Sequence, residues 1–135
     1  MTQQPPEGFA PHYRKSPVTE PWEPLYSRKI EGAVQIGLHL RQAHCNSRGF
    51  LHGGVIAALA DNAMGLSCGT VLPSIEGLVT VSLGVDYVGS ATIGQWIQIG
   101  PRVVKVGKSM AFADALITAD GAVIARANAT FRVLR

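Results

Sequence analysis

The sequence predicts an α+β fold in which one long central helix is wrapped by an antiparallel sheet of about five strands. Three observations carry that expectation. The run "VIAALADNAMGLSCGTVL" (55–72) has the length and the Ala- and Leu-rich make-up of a helix, and it is apolar on nearly every face. One segment before it and several after it alternate with the two-residue period of strands. The later segments are joined by short glycine-containing turns, which make their strands antiparallel neighbours. A helix with almost no polar face has to be enclosed by other structure, and a sheet curled around it is the economical solution.

The elements follow in order. Six of the eight prolines fall within residues 1–24, which forbids regular structure over most of that span. Residues 1–28 are therefore read as a Pro-rich arm that packs through Phe9, Tyr13 and Trp22, and residues 29–135 as the folded domain. In "AVQIGLHL" (33–40), Val34, Ile36, Leu38 and Leu40 face one way and Gln35 and His39 the other, as in a half-buried strand. His52-Gly53-Gly54 opens the helix and Pro73 stops it. In "LVTVSLGVDYV" (78–88), Val79, Val81, Leu83, Val85 and Tyr87 alternate with Thr80, Ser82, Gly84 and Asp86. "QWIQIGPRVVKVG" and "SMAFADALITA" make the next two strands, meeting near Gly107 and Lys108. Asp120-Gly121 is a hairpin turn, after which Ala127, Ala129, Phe131 and Val133 alternate with Arg126, Asn128, Thr130 and Arg132.

A chain of 135 residues with 47% hydrophobic and 16% charged residues is one compact globular domain. Its net charge of +3 comes from scattered Lys and Arg, a pattern that suits a small anionic ligand and does not suit nucleic acid. The two cysteines, Cys45 and Cys68, are not in metal-ligand spacing, and a reducing cytoplasmic home is expected. The N-terminus has no apolar stretch behind a basic start, so neither secretion nor membrane insertion is expected.

The site question centres on Asp61, a carboxylate in the middle of an apolar helix. Burying it without partners would cost several kcal/mol, so it is either satisfied by a turn or an arginine, or it is used. Upstream, the two glycines after His52 leave the first helical N–H groups open to approach, with the positive end of the helix dipole behind them. Such an end either holds a developing oxyanion or simply makes a tight turn. Gly54 and Asp61 are seven residues apart on nearly one helix face, so about 10.5 Å separates them along the axis. One reacting carbon cannot lie about 3 Å from both. If the two groups cooperate, the carboxylate comes from a second copy of the chain, as a two-fold dimer allows.

Asn46, then His52-Gly53-Gly54, then Asp61-Asn62, with Thr80 seven residues before Tyr87 and "VGKS" further on, resemble the hotdog-fold acyl-CoA thioesterases of the PaaI-like, phenylacetate-pathway group. The resemblance spans residues 30–135 and leaves the arm unplaced. It implies a hotdog fold and hydrolysis of an acyl-CoA, with aryl and arylacetyl groups among the candidates, to the free acid and CoA. Asp61 would act as base or nucleophile, the Gly53 N–H as oxyanion donor, and Asn46 as orienter of water or thioester. Thr80 would supply a hydroxyl and His52 a positioning group. Asp61 and Thr80 would lie across a subunit interface from Gly53 and Asn46, in a homodimer or homotetramer. Gly54, Gly107, Lys108 and Ser109 are candidates for substrate and CoA contact, with Arg102 nearby for phosphate. No cofactor is expected, coenzyme A being part of the substrate.

The remaining conspicuous residues read as structural. His12, His39 and His44 are not at metal spacing, Asp86 and Asp114 are surface or edge positions on strands, and Trp96 and Phe112 are packing residues. Two rival functions fit the same fold class. A hydratase or dehydratase of enoyl or hydroxyacyl thioesters would need a different histidine and glycine motif, and a non-catalytic acyl-CoA-binding module gains nothing from a buried Asp61.

Overall fold

The computed structural model describes residues 3–135. Among the described residues seven strands, two more than the sequence pattern suggested, form one sheet around a single α-helix. They are β1 (Ala10–Pro11), β2 (Tyr26–Ile30), β3 (Ala33–His39), β4 (Gly77–Tyr87), β5 (Trp96–Val106), β6 (Met110–Ala119) and β7 (Ala122–Leu134). Their order across the sheet is β1-β2-β3-β5-β6-β7-β4, antiparallel throughout. Helix α1 (Gly53–Val71) connects β3 to β4 and lies on the inner face of the sheet against β3, β5, β6, β7 and β4.

Of the two unexpected strands, β1 lies in the arm and β2 straddles its end. Prolines exclude an interior strand but tolerate an edge, and β1 pairs Ala10 with Ser27 and Pro11 with Tyr26 at the outside of the sheet. Phe9 is buried with its ring edge-on to Trp96 at 5.1 Å, and the Arg28 guanidinium lies over its face at 4.5 Å. Trp96 also closes on Gly37, where any Cβ would come within 2.2 Å of the indole. The arm is thus an integrated part of the sheet edge.

Within the domain the alternation holds where strands are covered. Val34, Ile36, Leu38 and Leu40 are buried together, as are Ala127, Ala129, Phe131 and Val133. Asp120 and Gly121 both take positive φ, +47° and +88°, the turn that the right-handed twist of a two-residue hairpin requires. The helix buries one stripe, including Val55, Ile56, Leu59, Ala60, Ala63, Met64, Ser67 and Cys68. Ser67 fixes it to β3, its hydroxyl donating to the Ala63 carbonyl (2.7 Å) and accepting from the Val34 N–H (2.9 Å).

Enclosure of the helix on all faces does not occur in the single chain. Ala57, Ala58, Asp61, Asn62, Gly65 and Leu66 are only half-buried, and Gly54 and Gly69 are exposed. The side opposite the sheet is left to small residues and to the Asp61-Asn62 pair. Edge strand β4 is likewise uncovered, with Val79, Val81, Leu83 and Tyr87 between 37% and 58% exposed. Phe112, expected in packing, is 39% exposed on β6.

The β4 pattern needs a further correction. Leu78 and Thr80 pair with Val133 and Phe131, whose side chains face the helix. A bulge between Thr80 and Ser82 then shifts the register by one, so Leu83, Val85 and Tyr87 pair with the inward-facing Ala129, Ala127 and Ala125. The five apolar residues of the alternating run therefore do not share a face. Thr80 and Tyr87, an odd number of residues apart, do share one.

Candidate active site

The helix N-terminus comes first. His52 is its N-cap, and the His52 Nδ1 accepts the Gly54 N–H at 2.8 Å. That bond fixes the bare nitrogen of the ring at Nδ1 and ties the His52 ring to the first turn of the helix. The Val55 N–H donates to the His52 carbonyl at 3.0 Å. The Gly53 N–H is left without an acceptor among the described residues, at the positive end of a 19-residue helix. Gly54 contributes space, since a Cβ there would meet the His52 ring at 3.0 Å.

Two side chains frame that amide. Tyr87 donates its hydroxyl to the Gly53 carbonyl at 2.6 Å, and burial pushes the phenol above its ordinary value, so it stays a donor. Asn46 accepts the Arg48 and Phe50 N–H groups on its Oδ1, at 2.9 and 3.2 Å. Its oxygen is engaged by the loop, and its Nδ2 is what it offers a ligand. Asn46, Gly53 and Tyr87 line one depression of about 400 Å³ with Phe50, Ile56 and Ile124.

Asp61 lies in a different depression, of about 520 Å³, two helical turns further on. It is half-buried at the mouth of this space, and Thr80 donates its hydroxyl to the Asp61 Oδ1 at 2.7 Å. The other carboxylate oxygen carries no hydrogen bond among the described residues. Leu66, Ile75, Leu78 and Phe131 supply apolar wall, and Tyr13 and Arg14 of the arm complete the lining.

The predicted residues thus fall into two groups. Asp61 and Thr80 meet directly, Asn46 and Gly53 share the other depression, and the two pairs do not meet within one chain. Gly107, Lys108 and Ser109 form the exposed β5–β6 turn and line neither depression. The Lys108 carbonyl accepts from the Arg135 Nε at 3.0 Å, which brings a second cation to that turn. Arg102 is held by Asp114 through two hydrogen bonds, 3.2 and 2.7 Å, so it is not a free phosphate ligand. Asp86 is paired with Arg126, whose Nε donates to the Asp86 Oδ2 at 2.8 Å. Sequence reasoning assigned Tyr87 no role. The signal was there in its odd spacing from Thr80, which needs a bulge before both can reach the helix.

A seven-stranded antiparallel sheet wrapped on one helix, with two polar depressions along that helix, has the build of a hotdog-fold thioester hydrolase. A sequence model of the thioesterase superfamily matches residues 48–125, more than half of the chain, and the chain belongs to that superfamily. Among relatives, a Pseudomonas aeruginosa protein provisionally named an esterase is 33% identical over 129 residues, covering 95% of this chain and 96% of its own. Acyl-coenzyme A thioesterase 13 of Homo sapiens is 34% identical over 103 residues, 73% of this chain and 71% of that one. Among solved structures, zebra fish thioesterase superfamily member 2 superimposes with a TM-score of 0.80 at 28% identity, over 87% of this chain and 88% of that one. A mutant of the phenylacetic acid degradation protein PaaI of Thermus thermophilus gives a TM-score of 0.78 at 24% identity, over 88% of this chain and 100% of that one. The acyl-CoA thioesterase resemblance read from Asn46, HGG and Asp61 is shown at the level of the family.

Proposed function

We propose that this chain hydrolyses acyl-CoA thioesters, with aryl and arylacetyl groups among the candidate acyl moieties, in a site shared between two copies. The observation that carries this reading is the division of the polar residues. Asp61 with Thr80 and the open Gly53 N–H with Asn46 occupy separate depressions of one chain. Two antiparallel helices from two copies bring one pair of each against the same carbonyl. The uncovered helix face and the apolar edge of β4 are the surfaces such a pairing would bury. Two such dimers pairing again would give the homotetramer.

In that site the thioester oxygen points at the Gly53 N–H, where the helix dipole stabilises the charge that grows on it. The Asn46 Nδ2 donates to the same oxygen or to the attacking water. The Asp61 oxygen left free by Thr80 either takes a proton from water, whose hydroxyl attacks the carbonyl carbon, or attacks that carbon itself. Both routes break the C–S bond. In the first, the thiolate of CoA recovers the proton held by Asp61. In the second, water hydrolyses the acyl-aspartyl anhydride and supplies the proton. A thioester is already activated, so placed water and charge stabilisation are sufficient chemistry. Phe131, Leu66, Leu78 and Tyr13 around Asp61 suit an apolar acyl group, aromatic rings included, and Lys108 and Arg135, which meet at the β5–β6 turn, are the cations assigned to the CoA phosphates.

The test is thiol release from aryl, short-chain and long-chain acyl-CoAs by wild type and Asp61→Asn. The variant should lose roughly 10²- to 10⁴-fold in kcat while keeping CoA affinity and oligomeric state. Unchanged kcat would remove Asp61 from the mechanism. Hydration of a crotonyl thioester without thiol release would point to the hydratase alternative instead.

A further inference from the structure

The arm is more than an edge of the sheet. From β1 the chain leaves the sheet at His12, whose N–H donates to the Leu25 carbonyl at 2.9 Å. The His12 side chain then crosses to the helix, where its Nε2 lies 3.1 Å from the Asn62 Oδ1. That oxygen only accepts, so Nε2 carries the proton and Nδ1 is bare. The imidazole is 1% exposed, and its Nδ1 is buried without a partner. A leucine at this position would pack without leaving an orphaned nitrogen or desolvating a polar ring. Core filling therefore does not account for a histidine here. What the imidazole supplies is one directed hydrogen bond to the residue that follows Asp61.

That bond has two consequences at Asp61. The Asn62 amide is held with its oxygen toward the arm, leaving its Nδ2 donors unpartnered among the described residues at the wall of the pocket it shares with Asp61. The same pin fixes where the next two residues stand, and both line that pocket. Tyr13 is clamped between the edge of the His12 ring, 5.2 Å between centroids, and the Lys29 ammonium, 4.4 Å from its ring centre. Arg14 is paired with no carboxylate among the described residues, whereas Lys15 beside it is paired with Glu23 at 3.2 Å. Tyr13 and Arg14 therefore border the space beyond the carboxylate with large side chains, one of them clamped.

From this geometry we infer that His12, Tyr13 and Arg14 form the acyl-selecting wall of the Asp61 pocket, with His12 the positioning residue that holds the wall in place. The inference rests on the thioesterase reading of that pocket. An acetyl group occupies only the space next to the carboxylate and does not reach the wall, whereas a ring or an extended chain does. The wall therefore ranks acyl groups by size and shape, while the reacting atoms stay with Asp61, Thr80, Gly53 and Asn46.

The experiment is kcat and KM for acetyl-, phenylacetyl- and dodecanoyl-CoA with full-length wild type, Tyr13→Ala, Arg14→Ala, His12→Ala, His12→Gln and Asp61→Asn. The quantity of interest is the ratio of kcat/KM for dodecanoyl-CoA to that for acetyl-CoA, which does not depend on how much of each preparation is folded. Tyr13→Ala and Arg14→Ala should each raise that ratio roughly tenfold, as expected for opening one side of a pocket, through a larger change for dodecanoyl-CoA than for acetyl-CoA. His12→Ala should do the same through release of the wall. His12→Gln, which keeps an N–H donor near the Nε2 position, should return toward wild type. Equal changes for all three substrates, or an unchanged ratio in the Tyr13 and Arg14 variants, would overturn the wall while leaving Asp61-dependent turnover intact. Absence of thiol release from every substrate, or an Asp61→Asn variant as fast as wild type, would overturn the active-site reading and the wall with it.

Discussion

The two ends of one stretch of helix α1 are built in opposite ways. At Gly53 the group on offer is a backbone N–H, and its neighbours hold that backbone in place. His52 caps the turn, Tyr87 clamps the Gly53 carbonyl, and Asn46 is locked into its own loop through Oδ1. At Asp61 the group on offer is a side chain, and what surrounds it is open and drawn from distant parts of the chain: Thr80 from β4, and Tyr13 and Arg14 from the arm. A rigid donor suits an oxyanion, whose position is the same for every thioester. An adaptable space beside the carboxylate suits the acyl group, which is what differs between substrates.

The largest expected effect tests whether one chain ever uses both ends on the same molecule. Asp61→Asn and Asn46→Ala should each be nearly inactive alone. Unfolded together and refolded as a mixture, they should recover activity, because a mixed pair contains one site with Asp61 and Asn46 both intact. Half of the pairs are mixed and each has one good site, so about one quarter of wild-type activity is expected. No recovery, with mixed pairs demonstrated by mass, would place both groups of a working site on one chain.

A smaller effect separates the two hydroxyls. Thr80→Val keeps the shape and removes the 2.7 Å hydrogen bond to Asp61. Its kcat should fall roughly tenfold, the effect of losing one hydrogen bond to a charged group, with little change in thermal midpoint because both residues are accessible. Tyr87→Phe removes the 2.6 Å bond to the Gly53 carbonyl at the other end. It should lower stability by about 0.5–1 kcal/mol and kcat only a fewfold, since the Gly53 N–H itself remains. If Tyr87→Phe were the more damaging to kcat, the phenol would have to touch substrate.

These residues also mark where sequence and structure part. The helix, its HGG start and Asp61 were legible because glycine and a carboxylate are conspicuous in an apolar run, and the Asp120-Gly121 turn because few other dipeptides accept two positive φ values. The bulge in β4 was hidden. Val79, Val81, Leu83 and Val85 are apolar on either side of it, so a one-residue slip leaves no gap in the pattern. The short strand β1 within the arm was hidden for a different reason. Its prolines rule out hydrogen bonding on one side only, and β1 uses the other. Arg102 looked available for phosphate because its partner Asp114 is distant in sequence and adjacent only across the β5–β6 ladder.

The mildest test exploits the two histidines that tie the arm to the two ends. His12 binds Asn62, beside Asp61. His44 donates from its Nε2 to the Trp22 carbonyl at 2.8 Å, and its own carbonyl accepts the His52 N–H at 2.9 Å, beside Gly53. Burial lowers both imidazoles below the ordinary value of about 6.5. For His12 the Asn62 bond and Glu23 oppose that shift and Lys15 and Arg14 add to it. For His44 the Trp22 bond opposes it and Arg41 adds to it. The unfolded chain therefore takes up protons near pH 6.5 while the folded chain does not. Stability from this source is complete above that pH and is lost as pH falls through it toward the lowered folded values. The slope is at most about 1.4 kcal/mol per pH unit for each histidine. Denaturant midpoints measured from pH 8 to pH 5 should be level at first and then decline, with a shallower decline in His12→Gln, which removes one of the two groups. A decline of equal slope in the two proteins would mean that His12 is protonated as readily in the folded chain as in the unfolded one, and that the arm is not held to the Asp61 end by a neutral imidazole.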